Sequence, residues 1–114
     1  MLIEYLEKVI SAGGDELEIE YRDQREWFTA FKGPVGVGIG SLDSDEAKQI
    51  FKEMKDLKKA KCVSIGNHSY ALRFREFESF GETVYRIGIK ETGGNQDAPR
   101  ASNPRRTRKR PLPR

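Results

Sequence analysis

Cysteine is almost missing from this chain. Cys62 is the only one, so no intrachain disulfide can form. A lone thiol fits a reducing compartment. Histidine is as scarce, with His68 alone, and one Cys with one His cannot close a structural metal site. No G-x-x-x-x-G-K-[ST] loop occurs anywhere, which removes the lysine and the hydroxyl that such a phosphate-magnesium site needs. No apolar run approaches the roughly 20 residues of a membrane span. Charged residues interrupt the opening "MLIEYLEKVISAGG", so it does not read as a secretory signal. Together these absences point to a cytoplasmic chain without metal or cofactor.

Apolar residues are also few, at 36%, and they are unevenly spread. Residues 92–114 hold one leucine, two alanines and no aromatic. Such a stretch cannot bury enough surface to offset its chain entropy. The chain therefore divides into one domain over residues 1–91 and a disordered basic tail over 92–114. Charge divides in much the same way. Met1 to Pro99 carries 14 basic and 18 acidic residues, while Arg100 to Arg114 carries 7 basic and none acidic. The sequence pI near 9.1 describes the tail, and the body is mildly acidic. The tail cations are Arg100, Arg105, Arg106, Arg108, Lys109, Arg110 and Arg114, interleaved with four prolines. An extended strip of this kind suits nucleic acid or another anionic surface without base readout.

What is present is clear periodicity. Leu2, Tyr5, Leu6, Val9 and Ile10 recur at helical spacing and stop at Gly13-Gly14. "ELEIEYR" alternates Leu17, Ile19 and Tyr21 with glutamates, a half-buried strand. "EWFTAFK" is its hairpin partner. A two-residue loop would put Phe28 opposite Ile19, and a three-residue loop Trp27 opposite Tyr21. A second helix carries Ala47, Ile50, Phe51, Met54 and Leu57, with Ser44 as its expected N-cap and lysines toward its negative end. "KCVSIG", "SYALRFREFESF" and "TVYRIGIK" follow as strands. The order α-β-β-β-α-β-β-β predicts an α+β domain, with an antiparallel-rich sheet of five or six strands and two helices on one face.

The run "VGVGIG" from Val35 to Gly40 raises the question of a phosphate loop. Its G-x-G-x-G is one residue short of the dinucleotide fingerprint. Strict alternation with β-branched residues instead predicts a strand with all its glycines on one face, open to a neighbouring backbone or simply flat.

Other candidates are weaker. His68 in "GNHS" reads as a solvent-facing turn residue, although a Cys62–His68 pair is the one conceivable thiolate arrangement. Glu16, Glu18 and Glu20 read as a solvated strand face available to cross-strand cations. A last turn centred on Phe80-Gly81 places Arg75 opposite Arg86 and Arg73 opposite Gly88. Like charges across a pair need neutralisation, by Glu76, Glu78 and the first-strand glutamates, or by an anion or partner. Arg73, Arg75, Arg86 and Lys90 are the candidate partner or anion face. Phe74 and Phe77 are three apart, so a β-bulge near Arg75-Glu76 is expected if both face the core.

Residues 2–91 resemble the domain just N-terminal to the motor in type II secretion and type IV pilus assembly ATPases. In that family a first helix is followed by a string like A-S-D-[IL]-H-[IL]-E, and "GDELEIE" stands in that place. "WFTAFKG" fills the slot of V-R-x-R-x-D-G, and "IFKEMKDLKKAK" that of the following helix. "ALRFREFESFGETVYRI" matches the closing pair of strands. The departures are specific. Phe28 and Ala30 occupy two arginine slots, Lys32 replaces an aspartate, and no Q-D-G-R string precedes "KCVSIG". Arg73 alone sits in a matching arginine slot. The resemblance implies a fold and a partner class, a secretion or pilus ATPase, without ATP hydrolysis. The function expected is a non-catalytic binding or adaptor domain. The alternative is a nucleic-acid-associated protein acting through its tail. No catalytic constellation is visible.

Overall fold

The computed structural model describes residues 1–94. Two helices, α1 (Leu2–Ser11) and α2 (Ser44–Ala60), pack with six strands: β1 (Glu16–Arg22), β2 (Arg25–Lys32), β3 (Val35–Asp43), β4 (Cys62–Ile65), β5 (His68–Ser79) and β6 (Glu82–Gly94). The element order is the one the periodicity predicts. All six strands form one sheet in the order β3-β2-β1-β6-β5-β4, and each neighbouring pair is antiparallel. The fold is α+β.

Both helices bury their stripes against the same sheet face. Leu2, Leu6 and Val9 of α1 and Ile50 and Met54 of α2 meet Leu17, Ile19, Phe28, Ala30, Leu72 and Ile87 in one core. Each of the larger side chains among them, all but Ala30, contributes about 1.5–3 kcal/mol on full burial. The Leu2 N–H donates to Glu53 Oε1 at 2.8 Å, tying the positive end of α1 to a carboxylate on α2. Tyr5 stacks on Phe28 with ring centroids 3.9 Å apart.

Turns set the register. The first hairpin uses the two-residue loop Asp23-Gln24, with φ of 54° and 65°, and pairs Ile19 with Phe28. Two left-handed residues in succession match the twist of the flanking strands. The last hairpin turns on Phe80-Gly81, with φ of 52° and 80°, and pairs Arg75 with Arg86 and Arg73 with Gly88 as expected.

Several expectations are corrected. Asp43, rather than Ser44, caps α2. Its Oδ1 accepts from the Glu46 N–H at 2.8 Å, and the Glu46 side chain accepts from the Asp43 N–H at 3.2 Å. This reciprocal box outcompetes a serine one position later. No bulge forms near Arg75-Glu76; the register of that hairpin shifts at Ser69/Tyr70 instead. Phe77 consequently points away from the helices and stays 42% exposed. β6 extends to Gly94, pairing Gly93 with Ser69 and Gly94 with His68, so the strand passes the expected boundary at Glu91. His68 opens β5 rather than sitting in the turn, and its Nδ1 lies 2.5 Å from Glu91 Oε2. The tail cations from Arg100 to Arg114 lie outside the described residues.

The glycine run is a strand, but its glycines do not share a face. A bulge at Phe28/Thr29 places Ile39 between the pairs Phe28–Gly40 and Thr29–Gly38. Gly36 and Gly38 therefore face away from the helices, and Gly40 lies on the helix side. Rings, rather than a backbone, exploit the missing side chains. A Cβ on Gly36 would sit 2.7 Å from the Phe31 ring, and one on Gly40 would sit 3.1 Å from the Tyr5 ring. The same bulge keeps Ile39 and Leu42 packed against the core.

Candidate functional site

The helices cover one sheet face and leave the other open. Period-two alternation sends Glu16, Glu18 and Glu20 of β1 to this open face. They stand between Phe31, Thr29 and Trp27 of β2 on one side and Gly88, Arg86 and Val84 of β6 on the other. Beyond β6 lie Arg73, Arg75 and Phe77 of β5. Thus Arg75 and Arg86, opposite one another, share a face with the glutamates of β1.

That sharing resolves the like-charge pair. Arg86 Nη1 is 2.9 Å from Glu16 Oε1, and its Nε and Nη2 are each 2.9 Å from Glu18 Oε2. Arg75 Nη2 donates to Glu16 Oε2 at 2.5 Å. Glu16 and Glu18 are mostly covered, at 17% and 15% exposure, so these are charge-assisted bonds with limited solvent screening. Burial alone would raise the Glu16 carboxyl, but its hydrogen bonds to Arg75 and Arg86 outweigh that and hold it below its ordinary value. Burial likewise disfavours the Arg86 cation, and its bonds to Glu16 and Glu18 reverse the effect and raise it. Glu76 and Glu78, also expected as neutralisers, stand on the helix-side face. Glu76 is 3.9 Å from Lys58 of α2, and Glu78 accepts from the Thr83 hydroxyl.

The guanidinium of Arg86 also lies over the Phe31 ring, 4.3 Å from its centroid. Phe31 lies against Gly36. The bare glycine seats the ring, the ring supports the guanidinium, and the guanidinium bridges two carboxylates. Neither the glycine's part nor the ring's was read from the sequence, because the contacts span four strands.

Lys90, opposite Ala71, and Arg73, opposite Gly88, stand exposed on the same face. Among the described residues neither forms an ion pair. With Asp15, Glu16, Arg75 and Gly88 they border a shallow groove of about 580 Å³. The four expected cations are therefore unequal: Arg75 and Arg86 are bound internally, while Arg73 and Lys90 have no ion pair among the described residues.

A second group went unnoticed in the sequence. Glu26 is only 9% exposed and lies on the helix side with Phe28 and Ala30. Among the described residues it has no hydrogen-bond or ion-pair partner. Burial, then the nearby Glu82 charge, pushes its carboxyl up. Period two in "EWFTAFK" was the available signal, since it places Glu26 in line with Phe28.

Cys62 and His68 are not brought together. Cys62 is exposed and opposite Ala71, while His68 is opposite Ile65 at the far end of β4. Among the described residues no group of three or more His, Cys, Asp or Glu is arranged to hold a metal ion. No described helix is long and apolar enough to cross a membrane. Comparison with protein-family models, curated proteins and solved structures finds no match for this chain.

Proposed function

We propose that this chain is a non-catalytic binding domain that engages a protein partner through the open face of its sheet. The observation that carries this is the state of Arg73 and Lys90. Both are exposed on that face and unpaired among the described residues, beside a rigid ion-pair ladder that fixes the strands they stand on. An acidic partner surface fits them, since rim charges of this kind steer association. The resemblance of residues 2–91 to the module preceding secretion and pilus ATPase motors suggests such a motor as the partner. Arg73 lies in the one arginine slot that matches.

The test is titration of the full chain into a purified type IV pilus ATPase motor domain, with Arg73→Glu/Lys90→Glu as control. Binding should weaken at least tenfold in the double variant and fade with salt, while the melting temperature stays put. Equal binding by both forms moves the site off this face. Absence of binding by either removes the motor as partner. The chain alone is expected to release no phosphate from ATP.

A second reading, association with nucleic acid, has one supporting observation on the body. Lys52, Lys55 and Lys59 lie exposed along α2 with no ion pair among the described residues, and they would add to the seven tail cations.

A further inference from the structure

Every sheet that does not close has two edges, and each edge presents unpaired N–H and C=O groups to any strand that reaches it. The two edges here differ. One is β4, four residues long, continued by the part of β5 that runs beyond it, where Arg73, Arg75, Glu76 and Glu78 carry charge. β3 is nine residues long, and no residue from Gly33 to Leu42 carries a charge. Natural edges are usually blunted by shortness, charge or a covering element. Of these β3 has none along its first half; its bulge comes only at Ile39.

That first half is also apolar and exposed. Val35 and Val37 are 62% and 59% exposed, although they point to the helix side, opposite Lys32 and Ala30. They project where α1 has already ended. With Ala12, Gly14 and Ala30 they border a notch of about 290 Å³ that no described side chain fills.

We infer that β3 pairs antiparallel with β3 of a second copy of this chain, about a two-fold axis through Gly36. The strand is self-complementary in that register. Val35 falls opposite Val37 of the other copy, and Val37 opposite Val35, all four on the helix side. Gly36 faces its own symmetry mate on the open side, where no Cβ obstructs it. The uncharged run means no like charges meet across the axis. The axis stands perpendicular to the sheet, so both helix layers lie on one side and two six-stranded sheets become one. Regular pairing ends at the bulge, which limits the contact to a few residues on each copy. The association is therefore weak and concentration-dependent rather than obligate. The contact lies on the sheet edge and is independent of the open-face binding proposed above.

Sedimentation velocity on the full chain over a wide concentration range tests this, alongside Val37→Lys. Val37 is mostly exposed, so a lysine there leaves the fold intact, which a thermal melt at low concentration checks. The expected result is a monomer–dimer equilibrium for the wild type, shifted at least tenfold toward monomer in the variant. Exchange of the Gly36 and Gly38 amides, whose N–H groups point away from β2, should slow as concentration rises, in the wild type only. A wild type that remains monomeric at the highest concentration overturns the inference. So does a dimer that survives Val37→Lys, or a mass that grows beyond two copies.

Discussion

Replacing Arg86 by alanine tests the centre of the open face. The change removes one charge-assisted hydrogen bond to Glu18 with a second close ion-pair contact to the same oxygen, one hydrogen bond to Glu16, and the guanidinium over Phe31. Glu16 keeps Arg75, but Glu18, 15% exposed, loses the one cation paired with it among the described residues. Breaking a fully buried pair costs about 3–5 kcal/mol, and a bond to a charged group is worth about 1.5–3 kcal/mol. Some solvent reaches both carboxylates, so the expected loss is about 2–3 kcal/mol. For a domain of this size that lowers the melting temperature by about 10–20 °C. The pH dependence follows from Glu16. Its folded value is depressed, so its stabilising contribution is fully present above the unfolded carboxylate value and is lost as pH falls through the folded one. The gap between wild type and Arg86→Ala should therefore narrow in acid. Thermal melts by circular dichroism from pH 7 down to pH 3 measure both effects, with Arg73→Ala as a control expected within about 0.5 kcal/mol of wild type. A loss below about 0.5 kcal/mol at pH 7, or one unchanged at pH 3, would refute the ladder's role.

Glu26 behaves oppositely. Its folded value is raised, so its favourable contribution is present below the unfolded value and lost as pH rises through the folded one; Glu26→Gln should melt higher than wild type at pH 7 and equal to it in acid. Phe80 holds φ at 52° with its ring fully exposed; Phe80→Asn, better suited to a left-handed turn, should gain about 0.5–1 kcal/mol in a melt. Truncation after Gly94 should leave the melt unchanged, whereas truncation after Glu91 should lower it by removing the β6 pairs to His68 and Ser69. DNA binding by the full chain should drop on truncation after Gly94 and fade steeply with salt, and binding that is unaffected by either would place the contact elsewhere.

Local rules in the sequence were enough for the element order, the two amphipathic helices and the register of the last hairpin, while they left the first hairpin between two registers that the structure decides. Periodicity is a property of neighbouring residues, and two-residue turns hold their strands in step. The opposition of Arg75 and Arg86 was legible for that reason. What local rules could not supply was the partner of each face. Glu16 and Glu18 lie some 70 residues from Arg86 in the chain, and only the β1–β6 pairing brings them together. Glu76 and Glu78 looked equally suited to neutralise it, but the absence of a bulge sends them to the other face. The glycines read as a bare strip until the bulge at Phe28/Thr29 divided them, giving Gly36 to the Phe31 ring and Gly40 to Tyr5. A bulge depends on how two strands fit a shared core, and no pattern within one strand encodes it. Sequence thus determined which elements form, and tertiary packing decided which side chains meet, because those meetings join strands that local turns do not connect.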